Sequence, residues 1–349
     1  MSGWLIYGAT GYTGELIARE AARQGMTPIV AGRNPLRIET LGKSLGLAAR
    51  VLVLDDPAAI TAGLDGITLV LNCAGPFCAT AEPMIQACLA RRIHYLDITG
   101  EIDVFERAQA LDAQALASGV VVCPGVGFDV IPTDCVAAML KEALPSANEL
   151  ALGFDGSQHV SPGTAKTAIE HLAEGGKVRR DGNLIRVPFG YGARRIDFGR
   201  GETDAMAIPW GDVSTAYYTT GIPNVTVYAR ASREQLRYAG LFNAVRFIFG
   251  WRWVRELIAS RIEARVHGPD EAERASGATW VWGEATDPAG ASKSIRLKTL
   301  EPYALTIVGA LGVVRRVLER PAPAGTTTPA RLMGSRYVLD LPGTEVLSG

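Results

Sequence analysis

The sequence predicts an α/β protein, with an N-terminal doubly wound parallel sheet followed by a second, α+β domain. Three observations predict it. Short, nearly continuous apolar runs alternate with helix-length stretches over the first 125 residues, a glycine-rich turn directly follows the first run, and beyond residue 125 extended segments cluster with few helices between them. Strands apolar on both faces, separated by crossovers long enough for a helix, belong to a parallel sheet covered on both sides. Right-handed crossovers then wind the sheet in two directions.

Taken in order, strands are predicted at 4–7, 26–32, 50–54, 67–73, 93–98 and 119–125, with helices at 15–24, 36–47, 58–64, 80–91 and 103–117. The second region opens with a helix at 134–144 and an extended segment at 148–156. Further strands are predicted at 185–189, 224–231, 278–286 and 293–300, and helices at 163–173, 234–264 and 301–319. The chain thus divides into domains 1–130 and 131–320, with 321–349 packing back at the domain junction.

A length of 349 residues agrees with two domains of ordinary size. The composition is 48% hydrophobic and 20% charged, with 35 basic against 36 acidic residues. Neither the low hydrophobicity of a disordered chain nor the cation excess of a nucleic-acid-binding surface is present. Five cysteines form no CxxC pair, and the chain enters its first strand without a secretory signal pattern, so a reduced, cytoplasmic setting is expected. Four histidines without paired spacing give no reason to expect a metal site.

The strongest motif is GATGYTG at 8–14. Between a strand and a helix, Gly8 permits a tight turn, Gly11 lets the backbone approach a pyrophosphate, and Gly14 lets the helix pack close to the sheet. The helix N-terminus then faces the phosphate charge. This is the signature of a Rossmann-type dinucleotide site. The second strand ends in AGRN rather than in an acidic residue. Arg33, with Asn34 and Arg37 nearby, offers a planar partner for a 2'-phosphate, which favours NADP over NAD; a solubilising turn arginine is the plainer alternative. Asp55 follows the third strand and is read either as a contact to the adenine edge or as a turn residue. Cys73 and Cys78 are read as small packing groups.

GATGYTG, AGRN, NCAGPF at 72–77, HYLDITGE at 94–101, PGVGFDVIPTD at 124–134 and the tail at 326–334 together resemble the saccharopine dehydrogenase-like oxidoreductases. This family includes saccharopine reductase relatives and trans-acting enoyl reductases. The resemblance covers the N-terminal domain well and the rest mainly through the tail. It implies NADP binding in the first domain, and a second domain that shapes a substrate cleft and often a dimer contact. Carried over, Gly8, Thr10, Gly11, Tyr12, Thr13 and Gly14 form the phosphate loop, and Arg33 meets the 2'-phosphate. Asn72, Cys73, Ala74 and Gly75 border the nicotinamide ribose, while Thr99, Gly100, Glu101, Gly127, Phe128 and Asp129 line the junction.

Hydride transfer needs an electrophilic carbon held against the nicotinamide and a proton donor near the atom that gains negative charge. Tyr95, Asp97, Glu101 and Asp129 are the candidates, all at strand ends on the expected ligand edge. Helix caps are the alternative roles for Asp97 and Asp129. In the second domain, Thr164 and Lys166 are candidate substrate contacts, whereas His159 and His171 are read as ordinary histidines. The segment 238–258 is aromatic with spaced arginines and lacks the unbroken apolar length of a membrane span. It reads first as a helix over an acyl-chain cleft or at a homodimer contact, with an interfacial membrane helix as the alternative. The expected activity is an NADP-dependent reduction of a C=C, C=N or C=O bond in a small or acyl-chain substrate. The alternative is a non-catalytic dinucleotide-sensing or scaffold protein.

Overall fold

The structure, a computed structural model, describes residues 3–156, 163, 175–251, 254, 258 and 268–347. It separates into two compact units, one comprising 1–131 with 305–333 and the other 132–304 with 334–349.

In the first unit, strand and helix alternate as predicted. The elements run β1 Gly3–Tyr7, α1 Tyr12–Arg23, β2 Ile29–Gly32, α2 Pro35–Leu45, β3 Ala49–Val51, α3 Pro57–Gly63 and β4 Ile67–Asn72. They continue with α4 Phe77–Arg91, β5 His94–Asp97, α5 Ile102–Ala110, α6 Asp112–Ser118 and β6 Val121–Cys123. Among the described residues these strands form a parallel sheet in the order β6-β5-β4-β1-β2-β3. The chain therefore leaves β1 in one direction and returns to β4 on its other side, which opens a crevice at the carboxyl ends of β1 and β4. Leu5, Ile6, Val30, Leu69, Val70 and Leu71 are fully buried, as strands covered on both faces require. The predicted helix at 103–117 is two helices, broken at Leu111 (φ −95°, ψ 5°).

The second unit begins with α7 Ile131–Ala143 and β7 Glu149–Asp155. It continues with β8 Gly176–Arg180, β9 Asn183–Val187, β10 Arg194–Asp197, β11 Glu202–Ala207, a helix Asp212–Thr220 and β12 Asn224–Arg230, and later β13 Ala278–Thr286 and β14 Ser292–Leu300. Among the described residues the sheet order is β10-β11-β12-β7-β13-β14, with the β8–β9 hairpin joined through β12. β7 and β12 are parallel and the other pairs antiparallel, so the sheet is mixed, as the clustered strands predict. α7 lies directly on this sheet: a Cβ on Gly283 would come within 2.4 Å of Val136. The opposite face buries Val178, Ile196, Phe198 and Trp282 in a separate core.

Two expectations change. The helix expected over 234–264 is broken, within the described residues, into Arg233–Arg237, Ala239–Val245 and a 3-10 turn Arg246–Gly250. The first break falls at Tyr238, whose backbone leaves helical geometry (φ −96°, ψ 4°). The tail 321–349, expected to pack back at the domain junction, contributes a strand to each of the two sheets. β15 Gly325–Thr326 extends the first sheet beside β6, and β16 Glu345–Val346 pairs with β14 in the second. Most of the helix Pro302–Glu319 groups with the first unit, where the Thr306 hydroxyl accepts a hydrogen bond from the Phe128 N–H (3.0 Å) and Arg315 donates to Gln24. The helix predicted at 163–173 lies outside the described residues, save Gly163. No helix among the described residues is long and apolar enough to cross a membrane.

Candidate active site

The turn after β1 is built from backbone contacts that side chains would destroy. Gly8 has φ +76°, and a Cβ there would sit 2.8 Å from the Ala74 backbone nitrogen. A Cβ on Gly14 would lie 2.3 Å from the Gly8 carbonyl oxygen. The N–H groups of Gly8 and Ala9 both donate to the Ala31 carbonyl (2.9 and 3.1 Å), and Gly11 N–H donates to the Gly8 carbonyl (3.0 Å). Gly11 is the N-cap of α1 and makes no side-chain cap bond. A compact glycine cradle thus leads straight into a helix N-terminus at the sheet's crevice, an arrangement suited to an anionic pyrophosphate. Thr10 lies in the same turn, and Tyr12 and Thr13 open α1.

Arg33 is exposed just beyond β2, and Asp55 is exposed beyond β3. Both charges reach Tyr7 at the end of β1. Burial raises the Tyr7 phenol above its ordinary value, with smaller opposing effects of Arg33 and Asp55. The side-chain oxygen of Asn34 is committed to capping α2, accepting from Arg37 N–H at 3.1 Å, which leaves Arg33 as the phosphate candidate of the pair. Sequence reasoning set Arg37 only nearby, yet its guanidinium donates to the Thr10 carbonyl (2.9 Å) and ties the start of α2 to the glycine loop. Asp56 rather than Asp55 caps α3, through Ala58 N–H at 3.0 Å.

On the other side of the crevice, Asn72 shapes the turn after β4. Its side-chain oxygen accepts from Ala74 N–H (3.0 Å), while its amide nitrogen donates to Thr80 and to the Tyr95 hydroxyl (both 3.2 Å). Tyr95 in turn donates to Asp97 (2.8 Å), whose other oxygen accepts from Thr99 N–H (3.0 Å) and Gly125 N–H (2.9 Å). Burial pushes the Asp97 carboxyl up to about 6 against these donors, and pushes the Tyr95 phenol well above its ordinary range. Both side chains are fully enclosed. Tyr95 and Asp97, expected among the proton-transfer candidates, are therefore internal struts joining β4, β5 and the turn after β6. Asp97 does not cap α5 either, whose N-cap is Glu101. Cys73 is partly buried, and desolvation with the nearby Asp97 raises its thiol, in keeping with a packing role. Gly75 precedes Pro76 in a cis peptide.

Glu101 also has a structural task. Its two carboxylate oxygens accept from Phe77 N–H (2.8 Å) and Cys78 N–H (2.7 Å), the first two amides of α4. Pro76, the N-cap of α4, supplies no side-chain acceptor, so a carboxylate 24 residues away satisfies those amides and the positive helix end. Asp129 differs. It is half-buried and lies against Gly100, where a Cβ would come within 2.6 Å of its oxygen. Desolvation raises its carboxyl to about 7, and among the described residues no hydrogen bond or charge opposes it. Among the described residues, Asp129 is therefore the candidate acid at this edge that is not consumed by the scaffold. A continuous chain of contacts connects it to the cradle: Asp129 on Gly100, Glu101 on α4, the 72–75 turn before α4, and Ala74 on Gly8. Sequence reasoning missed Thr80, whose hydroxyl donates to the Ala74 carbonyl (2.5 Å), and Thr306, 178 residues from its partner Phe128. His159, Thr164, Lys166 and His171 lie outside the described residues.

Residues 4–123 match the saccharopine dehydrogenase NADP binding domain. A saccharopine dehydrogenase-like oxidoreductase of Arabidopsis thaliana is 33% identical over 189 residues, 48% of this chain and 38% of that protein. One of Homo sapiens is 28% identical over 214 residues, 53% of this chain and 50% of that protein. The chain spans about half or less of the length of these curated relatives. Saccharopine dehydrogenase (L-Glu forming) from Saccharomyces cerevisiae superposes over the full length of both chains with a TM-score of 0.67 at 12% identity, which establishes a common fold. The domain match, the relatives and the shared fold agree: residues 4–123 match a saccharopine dehydrogenase NADP binding domain, and the chain is similar to the saccharopine dehydrogenase-like oxidoreductases.

Proposed function

We propose that the protein is an NADP-dependent oxidoreductase that reduces a C=C, C=N or C=O bond in a small or acyl-chain substrate. The observation that carries this reading is the glycine cradle at the crevice between β1 and β4. It is closed to side chains by Ala74 and the Gly8 carbonyl, and followed across the sheet by Arg33 where an acidic residue would select NAD. These residues fit a dinucleotide. The loop 8–14 would hold the pyrophosphate, Arg33 the 2'-phosphate, and the 72–75 turn the nicotinamide ribose. NADPH, when bound, supplies the hydride.

The chain's own part is orientation and proton delivery. Asn72 and Glu101 fix the turn and the helix end that border the nicotinamide side, and Asp129 holds a proton near neutral pH for the substrate atom that gains charge. The unpaired state of all five cysteines supports a reducing, cytoplasmic setting.

Fluorescence titration tests the cofactor assignment. NADPH binds more tightly than NADH, and Arg33→Ala reduces NADPH affinity roughly 10- to 100-fold while leaving NADH affinity nearly unchanged, the scale of a lost charge-assisted contact. Equal dissociation constants for the two cofactors in the unmodified protein would overturn the NADP preference.

A further inference from the structure

A polar cavity of about 130 Å³ lies on one face of the mixed sheet, lined by residues of the second unit alone. Its floor is Ala151 of β7. Directly beside Ala151 in register stand Thr226 of β12 and Glu284 of β13, and two residues back along β7, Glu149 stands opposite Thr286. Residues opposite one another in register project from the same face, so a small side chain is ringed here by polar ones and leaves space above it.

Two arginines reach this floor from neighbouring strands. Arg180, at the end of β8, donates to the Thr226 hydroxyl and to the Arg179 carbonyl (3.0 Å each). Arg194 of β10 donates to the Glu284 carboxylate (3.1 Å), with its guanidinium 5.2 Å from the Trp282 ring centre and 5.8 Å from that of Tyr228. Tyr228 is itself buried, two residues beyond Thr226. Burial raises its phenol, while Arg194 and Arg180 both act to lower it, so the two positive charges stand near one hydroxyl.

The charges in the cavity do not all cancel within the protein. Arg194 and Glu284 pair with each other. Among the described residues, half-buried Arg180 has no acidic partner and exposed Glu149 no basic one. A guanidinium that meets only a hydroxyl and a carbonyl keeps its full charge and has N–H donors to spare. One cavity thus holds an unmatched cation and an unmatched anion that do not reach each other. Thr226 carries Arg180, and Asn224, two residues earlier on β12, stands opposite Glu149. The two charges are therefore anchored about 7 Å apart along the strand, a separation that a ligand with its own two charges a few bonds apart can span. A simple dianion such as phosphate would meet Arg180 but also face the carboxylates of Glu149 and Glu284, a like-charge arrangement that selects against it.

We propose that this cavity binds a small zwitterion, with Arg180 and the Tyr228 hydroxyl receiving its carboxylate and Glu149 receiving its ammonium group. Binding here requires neither the dinucleotide nor turnover, so its failure would leave the proposed reduction untouched.

Equilibrium dialysis of the full chain against radiolabelled glycine and 4-aminobutyrate tests it, with butyrate and butylammonium as the matched single charges. At least one of the two zwitterions binds saturably, roughly 10-fold or more tightly than either single charge. Glu149→Gln, at an exposed position without an ion pair, keeps the parent's unfolding temperature. It weakens the zwitterion roughly 10-fold while leaving butyrate unchanged, whereas Arg180→Gln weakens both. Because Arg180 also bonds the sheet, Glu149→Gln decides the matter where the Arg180 variant fails to fold. The proposal is overturned if neither zwitterion binds, if butyrate or butylammonium binds as tightly as the zwitterions, or if inorganic phosphate binds more tightly than either. Zwitterion binding that Glu149→Gln leaves unchanged overturns it as well.

Discussion

Two carboxylates at one sheet edge, Glu101 and Asp129, have opposite prospects because of what surrounds them. Glu101 spends both oxygens on the amides of α4. Glu101→Gln keeps one acceptor and loses the other along with the charge, so thermal unfolding should reveal a loss of about 1–3 kcal/mol. Lost turnover at an unchanged unfolding temperature would instead put Glu101 in the chemistry. Asp129 has no partner among the described residues to stabilise its anion, and desolvation raises its carboxyl from an ordinary value of 3.8 to about 7. Acting as the proton donor, it is competent below about pH 7, so kcat/KM for reduction falls as pH rises through that value. Asp129→Asn lowers turnover roughly 100-fold and flattens the profile. Stability follows the same sign. Between the two values the folded state retains a proton that the unfolded state has released, so wild-type stability declines as pH rises from about 4 to about 7. The Asn variant, which cannot ionise, gains on wild type across that window. A stability difference independent of pH, measured by denaturant unfolding, would contradict the raised carboxyl of Asp129. Asp129 was legible in the sequence as a candidate, but its isolation was not, because desolvation depends on neighbours that sequence spacing does not specify. Tyr95 and Asp97 were misleading for the same reason: both stand at the correct strand end, and both turn inward.

Among the elements, the turn from β1 into α1 is held by close backbone approach, and a methyl group measures how close. Gly14→Ala would place Cβ 2.3 Å from the Gly8 carbonyl oxygen, which cannot rotate away as a side chain could. The helix start must therefore shift, and NADPH affinity should fall at least 10-fold with a clear loss of unfolding temperature. Gly240→Ala is the matched control. Nothing lies within 4 Å of its Cβ position, it has no positive φ, and it sits in a helix, so it should be neutral or stabilise by up to about 1 kcal/mol. Equal NADPH affinity in the Gly14 variant would mean that the cradle is not a binding element. Elements of this kind were readable because their signals are local. WLIY is apolar throughout and ITLVLN is so apart from Thr68 and the terminal Asn72, and the glycines of GATGYTG lie between a strand and a helix. The strands GKVRR, RRID and ETDAMA were not read, since charged residues interrupt their alternation. The helix DVSTAYYTT was missed as well, because threonines, valine and tyrosines are indifferent helix formers. Two-residue strands such as β15 and β16 carry no periodic signal at all.

On the scale of the whole chain, the last 29 residues belong to both units. β15 pairs in parallel with β6 through Gly325↔Val121 and Thr326↔Val122, and Thr326 is fastened a second time, its N–H donating to Asp112 (2.7 Å) and its hydroxyl to the Ala108 carbonyl (2.9 Å). β16 pairs with β14 through Leu297↔Val346 and Lys298↔Glu345, and the Leu347 N–H donates to the Arg296 carbonyl (2.9 Å). Between these strands, Ala330, Leu332, Tyr337 and Val338 are buried. A chain ending at residue 320 should therefore uncover the edge of β6 in one sheet and of β14 in the other, and remove buried apolar side chains whose individual loss typically costs about 2–5 kcal/mol. The expected result is a lower unfolding temperature, aggregation through the exposed strand edges, and weaker NADPH binding, because β6 leads into the turn that carries Gly125 and Asp129. Thr326→Val is the milder probe: it retains β15 and its backbone N–H bond to Asp112 but deletes the hydroxyl bond to Ala108, at a cost of about 1 kcal/mol. Scanning calorimetry on the shortened chain decides between an integral tail and an appendage. An unfolding transition unchanged in temperature and enthalpy would mean that residues 321–349 add nothing to either sheet.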